Sequence, residues 1–286
     1  MKKAVDLSAN LRTEERLSIE AQYRKLIHEW PRAIQLYRTL ADLYPDSLDY
    51  ELGLAAAQTQ SGAPKDALVT LQASYQTKSV TGDDPRIDLA KAVTLNELGD
   101  LPNARQAAAK AIEMGKSQHA QLVVAQANRT QSWTLERLGE LDHAVAGLTE
   151  AKVLFAAAGD LESSASTLLV IGHVLYDKAD YEVARRQFEE ALLLYRQIGS
   201  RPRMAPALHD IGNALYEEGK LAEARTYYGQ ALAIDREIGS KLGIASDVGS
   251  IANVLLDSGD LAGAEKMQRQ DLKLWSAIRT DVVLLV

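Results

Sequence analysis

The sequence contains no cysteine, which excludes disulfide bonds, thiolate metal ligands and cysteine nucleophiles. Basic residues are outnumbered: 32 lysines and arginines against 39 aspartates and glutamates give a formal net charge of −7. This balance argues against a general nucleic-acid-binding surface, which needs positive charge to neutralise phosphates. No apolar run approaches the roughly 18 residues of a membrane-spanning helix, and the first residues do not resemble a secretory leader. We expect a cytoplasmic location, although a periplasmic one or attachment to a membrane protein is also compatible with the composition.

What the sequence does contain is an internal repeat of about 40 residues. The segment Ile211–Tyr216 follows a similar segment, Ile171–Tyr176, at a distance of forty residues. An alanine recurs with nearly the same period after a central turn, at Ala33, Ala67, Ala104, Ala144, Ala184, Ala224 and Ala264. These positions predict seven repeat units, the first with a period of 34 residues and the later ones near 40.

Each unit has the pattern of two antiparallel helices. In the sixth unit, Leu208, Ile211 and Leu215 form an apolar stripe with helical spacing. Gly219 marks the break after this helix, because glycine readily adopts the left-handed conformation that ends a helix. A second helical stripe follows, and the short connection requires the two helices to pack antiparallel. Small residues such as Gly212 are expected to let the two helices approach closely.

This pattern resembles the tetratricopeptide repeat, with a small residue in the first helix, an alanine after the turn and an aromatic residue four positions later. The sixth unit carries these residues as Gly212, Ala224 and Tyr228. The resemblance extends over about residues 11–279, and the longer period is similar to that of kinesin light chains and bacterial regulatory proteins. It implies an all-α fold, a right-handed superhelix (α-solenoid) of about seven antiparallel helix pairs.

The same resemblance predicts a single solenoid over residues 1–286. Its parts are two shorter repeats (11–79), a degenerate third repeat (80–122), four 40-residue repeats (123–279) and an uncapped apolar tail (280–286). Because solenoid ends normally carry a polar outer face, this tail predicts a continuing chain, docking onto the last helix, or self-association.

The segments Leu17–Ala21 and Asp84–Ala90 are also similar to the C-terminal repeat region of large bacterial signalling proteins. Such proteins carry a Ser/Thr-kinase or winged-helix domain in front of the repeats. The present sequence has no glycine-rich nucleotide loop and no kinase motif. On this resemblance, the chain is the accessory part of a larger signalling protein.

The catalytic motifs of metalloproteases and serine hydrolases are absent from the sequence, and so is the calcium-binding EF-hand pattern. Among five scattered histidines, His173 and His209 fall on the first helices of adjacent units. A metal or acid–base site is one interpretation of this pair, but no third ligand stands at helical spacing from it. We therefore predict no enzyme activity, no metal and no cofactor.

The first helices of a tetratricopeptide superhelix line its inner surface. Side-chain amides there can bond an extended peptide backbone, and aromatic residues offer apolar area with a polar tip. Residues of these types occupy the expected inner positions, which predicts a peptide-binding surface composed of Trp133, His173, Tyr176, His209, Asn213, Tyr216 and Asn253. The alternative is that the two tyrosines pack against neighbouring helices while the two asparagines only face solvent.

The predicted function is a non-catalytic scaffold or sensor that holds a protein or peptide segment in its groove, in bacterial signalling or regulation. The alternative is a structural module that forms a homo-oligomer through its C-terminal end. Neither interpretation involves nucleic acid or a membrane.

Overall fold

The computed structural model describes residues 11–77, 83–269 and 272, and within them every regular element is a helix. The prediction of an all-α fold is therefore confirmed. The helices with complete bounds are α1 Thr13–Leu26, α2 Trp30–Leu43, α3 Leu48–Gln60, α4 Pro64–Thr77, α5 Pro85–Leu98, α6 Leu101–Ser117, α7 Gln121–Arg137, α8 Leu141–Ala157, α9 Leu161–Asp177, α10 Tyr181–Gln197, α11 Arg201–Glu217, α12 Leu221–Ile238 and α13 Lys241–Asp257. Residues 261–269 are also helical. In this part of the chain, no helix is both long enough and apolar enough to cross a membrane.

The helices end where the sequence pattern places its breaks. Gly219 follows α11 with a φ of 76°, and its N–H bonds to the Tyr216 carbonyl at 2.9 Å. The predicted break is thus confirmed as a left-handed helix terminus. Ala179 takes the same conformation, with a φ of 61°, at the equivalent turn of the preceding repeat.

The chain divides into two compact units, Met1–Gly147 and Leu148–Val286. In the first unit, consecutive helices from α1 to α7 pack on one another, and the first helices α3, α5 and α7 also touch in succession. In the second unit, α9 to α13 pack consecutively, and α11 touches α13. The predicted tail, residues 280–286, lies outside the described residues.

The core of each helix pair depends on small residues. Ala104 in the first unit and Ala184 and Ala224 in the second are completely buried. At Gly212, an added Cβ would lie only 2.6 Å from the Tyr228 ring. The glycine therefore provides the space for the aromatic ring of the second helix, as the sequence pattern predicts.

Candidate functional site

Six of the seven predicted site residues lie on the first helices of the second unit. We call these six the first-helix face: His173 and Tyr176 on α9, His209, Asn213 and Tyr216 on α11, and Asn253 on α13. Side-chain hydrogen bonds connect these three helices in succession, always from one repeat to the next. The two histidines and the two tyrosines of this face therefore belong to one series of bonds from α9 to α13, in which the two asparagines take no part.

Both histidines of this face bond to an aspartate of the following repeat. His173 Nε2 lies 2.9 Å from Asp210 Oδ2, and His209 Nδ1 lies 2.6 Å from Asp247 Oδ1. Each carboxylate accepts an N–H from the imidazole, which fixes the orientation of the ring. Over the residues that the structure describes, no group of three or more His, Asp or Glu side chains could hold a metal ion.

Both tyrosines reach across to the next first helix in the same way. Tyr176 donates its hydroxyl hydrogen to Glu217 Oε1 at 3.2 Å, and Tyr216 donates to Asp257. Burial, with help from the charge of Glu217, raises the pKa of Tyr176 to about 12. The hydrogen bond to Asp257 raises the pKa of Tyr216. Both hydroxyls consequently remain protonated donors at neutral pH.

The two asparagines differ in their surroundings. Asn213 is half-buried, and its Oδ1 accepts a hydrogen bond from the Tyr228 hydroxyl at 2.8 Å. Asn253 is exposed. Leu256, which lies one turn further along α13, is also exposed, at 46%. Asn213 is thus oriented by its own repeat, whereas Asn253 faces solvent.

The first-helix face is anionic. Asp210, Glu217 and Asp257 accept hydrogen bonds from the preceding repeat, and within the described residues none of them pairs with a lysine or arginine. The sequence has no lysine or arginine in 161–177, 204–217 or 242–257. A partner that covers these carboxylates must therefore compensate their charge, because an unpaired buried carboxylate is costly.

The sequence patterns did not predict which carboxylates the histidines and tyrosines of this surface contact. These carboxylates follow their donors by 37 to 41 residues, close to one repeat length. That spacing is the signal that could have found them, since a side chain on one first helix meets the next first helix about one repeat later.

Trp133, the seventh predicted residue, lies on α7 in the first unit. Its side chain is 41% exposed, and the Arg137 guanidinium sits 4.8 Å from the ring centroid. This stacking leaves an aromatic surface open to solvent, and a role for it in binding stays a prediction.

Comparison with known proteins supports the repeat assignment. Residues 163–237 match the family model described as tetratricopeptide repeat. No curated protein matches the chain.

Several solved structures share the fold. BtubC from P. vanneervenii is 15% identical with a TM-score of 0.62, over 94% of this chain and 93% of that one. A signal transduction ATPase with numerous domains from Pyrococcus horikoshii, which has a tetratricopeptide repeat sensor, is 15% identical with a TM-score of 0.75, over 95% of this chain and 42% of that one. A Rap protein complexed with competence and sporulation factor is 16% identical with a TM-score of 0.59, over 95% of this chain and 79% of that one.

Identities this low establish similarity of fold only. The matched segment 163–237 covers α10, α11 and most of α9 and α12, which carry five of the six residues of the first-helix face. Residues 163–237 therefore carry tetratricopeptide repeats, and the chain shares its helical fold with solved structures that include a tetratricopeptide repeat sensor.

Proposed function

We propose that the chain is a non-catalytic scaffold or sensor whose second unit holds a peptide or protein segment against the first-helix face. The observation that carries this proposal is the repetition of the cross-repeat bonds. His173 and Tyr176 on α9 are tied to α11, and His209 and Tyr216 on α11 are tied to α13. Side chains held in this way lose little conformational freedom on binding, which favours affinity.

Two of the similar structures support a regulatory role. One has a tetratricopeptide repeat sensor within a signal transduction ATPase, and the other is a Rap protein in complex with competence and sporulation factor. By analogy, we place the present chain in a bacterial signalling or regulatory pathway. The analogy rests on the fold alone. The proposal that this face holds a peptide or protein segment rests on the residues of the first-helix face.

The charge of the face suggests the chemistry of the bound segment. A segment with lysine or arginine side chains complements Asp210, Glu217 and Asp257, which lack cationic partners in the described residues. Its backbone amides and carbonyls suit the side-chain amides of Asn213 and Asn253. The proposed partner is therefore an extended segment with net positive charge.

The test starts from a library of displayed random peptides selected on the full chain. Affinity of a selected peptide is then measured for wild type and for the double variant Asn213→Ala, Asn253→Ala. Each lost amide contact costs ~0.5–1.5 kcal/mol, so we expect binding to weaken about tenfold.

The matched control removes two exposed amides from second helices, Gln197→Ala with Gln230→Ala. This control should bind as wild type does. Failure of selection, or equal weakening in both double variants, would contradict the proposal. Selected peptides rich in aspartate and glutamate would refute only the predicted charge of the partner. Self-association through residues 280–286 concerns residues outside those described, and it stays a prediction.

A further inference from the structure

Beneath the first-helix face, two buried carboxyl groups meet between consecutive helices. Asp235 on α12 is 6% exposed and Asp247 on α13 is 1% exposed. We call them the buried carboxyl pair. Asp247 Oδ1 accepts the His209 N–H at 2.6 Å, but Asp247 Oδ2 is buried without a hydrogen-bond donor among the described residues.

The surroundings offer the pair little compensation for two negative charges. From α11 it meets the His209 imidazole, and just before α13 it meets the hydroxyl of Ser240, which caps that helix at Gly243. In the described part of the chain, no lysine or arginine pairs with either carboxyl. At most one positive charge, that of His209, can therefore face two carboxylates.

Local packing is built around this arrangement. A Cβ added at Gly243 would collide with Asp235 Oδ2, so the carboxyl occupies the space that a side chain at 243 would take. Gly243 lies one turn before Asp247 on α13, so the Asp235 carboxyl that occupies this space is next to Asp247, where the two carboxyls could share a hydrogen bond. Two carboxyl groups can form such a bond only when one of them carries a proton.

We propose that the buried carboxyl pair shares one proton, and that this proton links α12 to α13 as a pH-sensitive clasp. The shared proton supplies the donor that Asp247 Oδ2 otherwise lacks, and it removes one of two adjacent buried charges. Proton loss restores the repulsion and loosens the junction. This inference concerns the stability of the second unit and does not depend on the proposed function.

The direction of the pH dependence follows from the two pKa shifts. Burial and the neighbouring charge of Asp247 raise the pKa of Asp235, and burial raises that of Asp247 against the opposing effect of His209. The folded state therefore binds more protons than the unfolded state. The contribution of the pair to stability increases as the pH falls through the raised folded values toward the ordinary value of about 4, and it decreases as the pH rises.

The first test is a titration of the wild-type chain with ¹³C-labelled aspartate carboxyls, followed by NMR. We expect one carboxyl of the pair to stay protonated well above the roughly pH 4 at which exposed aspartates titrate. The Asp235→Asn and Asp247→Asn variants assign the signals. If every aspartate titrates near its ordinary value, the shared proton does not exist, and this result does not depend on any variant folding.

The second test compares melting temperatures near pH 5.5 and pH 8. In Asp235→Asn, the carboxamide donates to Asp247 at every pH. The melting temperature of the variant should therefore increase relative to that of wild type as the pH rises. Asp177→Asn, at an exposed position on α9, is the matched control and should follow wild type at both pH values. If the difference in melting temperature between Asp235→Asn and wild type is the same at both pH values, the shared proton is refuted.

Discussion

The two units of the chain connect their successive first helices with different chemistry. In the first unit two of these connections are neutral and buried: Thr59 and Thr94 hydroxyls lie 3.0 Å apart, and Thr134 donates to Asn96 Oδ1 at 2.8 Å. All four side chains are less than 9% exposed. Such bonds satisfy polar groups inside the stack and present nothing to a partner.

The second unit makes the corresponding connections with imidazole, phenol and carboxylate groups. The His173 side chain is 54% exposed, and Asp210 retains 16%. The first unit also joins first helices through charged groups, Tyr50 to Glu14 and Arg86 to Asp49, but these two bonds involve no histidine. The second unit therefore differs by its two histidine–aspartate bonds, and the buried carboxyl pair that we propose to be pH-sensitive belongs to that unit.

The largest effect is expected from Ala224→Arg, which inserts a long cation where the second unit has no space. Ala224 is completely buried. Overpacking typically costs ~1–3 kcal/mol, and the unpaired charge adds to it. Hydrogen exchange should show loss of protection across α11–α13 while α1–α7 keep theirs. The neighbouring Glu223→Arg, at an exposed position, should leave exchange unchanged, whereas wild-type protection in Ala224→Arg would refute the repeat alignment.

Much of this architecture could be predicted from sequence because it depends on local spacing. The positions of Gly219 and Ala224 follow from one repeat compared with the next, and both behave as predicted. The candidate face followed from the same alignment, since position within a first helix determines which way a side chain points.

The partners of the face could not be predicted in the same way. Which residue of the next helix meets Tyr216 depends on the rotation between repeats, which no single repeat encodes. Asp235 and Asp247 look like ordinary solvated helix residues in the sequence, and their burial depends on the missing side chain of Gly243. The sequence therefore predicted the helices but not the contacts between them.

A smaller effect distinguishes the two kinds of connection. Thr134→Val removes the donor to buried Asn96 Oδ1, and leaving a buried acceptor unsatisfied costs ~1–3 kcal/mol. Tyr216→Phe removes a more accessible bond to Asp257, so its cost should lie near ~0.5 kcal/mol, the low end for a hydrogen bond. Urea unfolding measures both. A larger loss in Tyr216→Phe than in Thr134→Val would contradict the contrast between buried and accessible connections.

The smallest effect concerns turns at which a residue other than glycine is left-handed. Ala179 in the second unit and His119 in the first have φ values of 61° and 57°. Replacing either by glycine relieves ~1–2 kcal/mol of strain, and the greater freedom of glycine in the unfolded chain offsets ~0.4–1 kcal/mol of it. We expect a small rise in melting temperature for each variant. A fall in either would show that the original side chain makes a contact that outweighs the strain.

The binding surface itself can be located by photo-crosslinking. A selected peptide that carries a benzophenone group is bound to the wild-type chain and irradiated, and the linked residues are mapped by mass spectrometry. The proposal predicts links to α9, α11 and α13, with the strongest around Asn213 and Asn253. Links confined to the second helices α10 and α12, or to the first unit, would contradict the claim that the first-helix face of the second unit holds the partner.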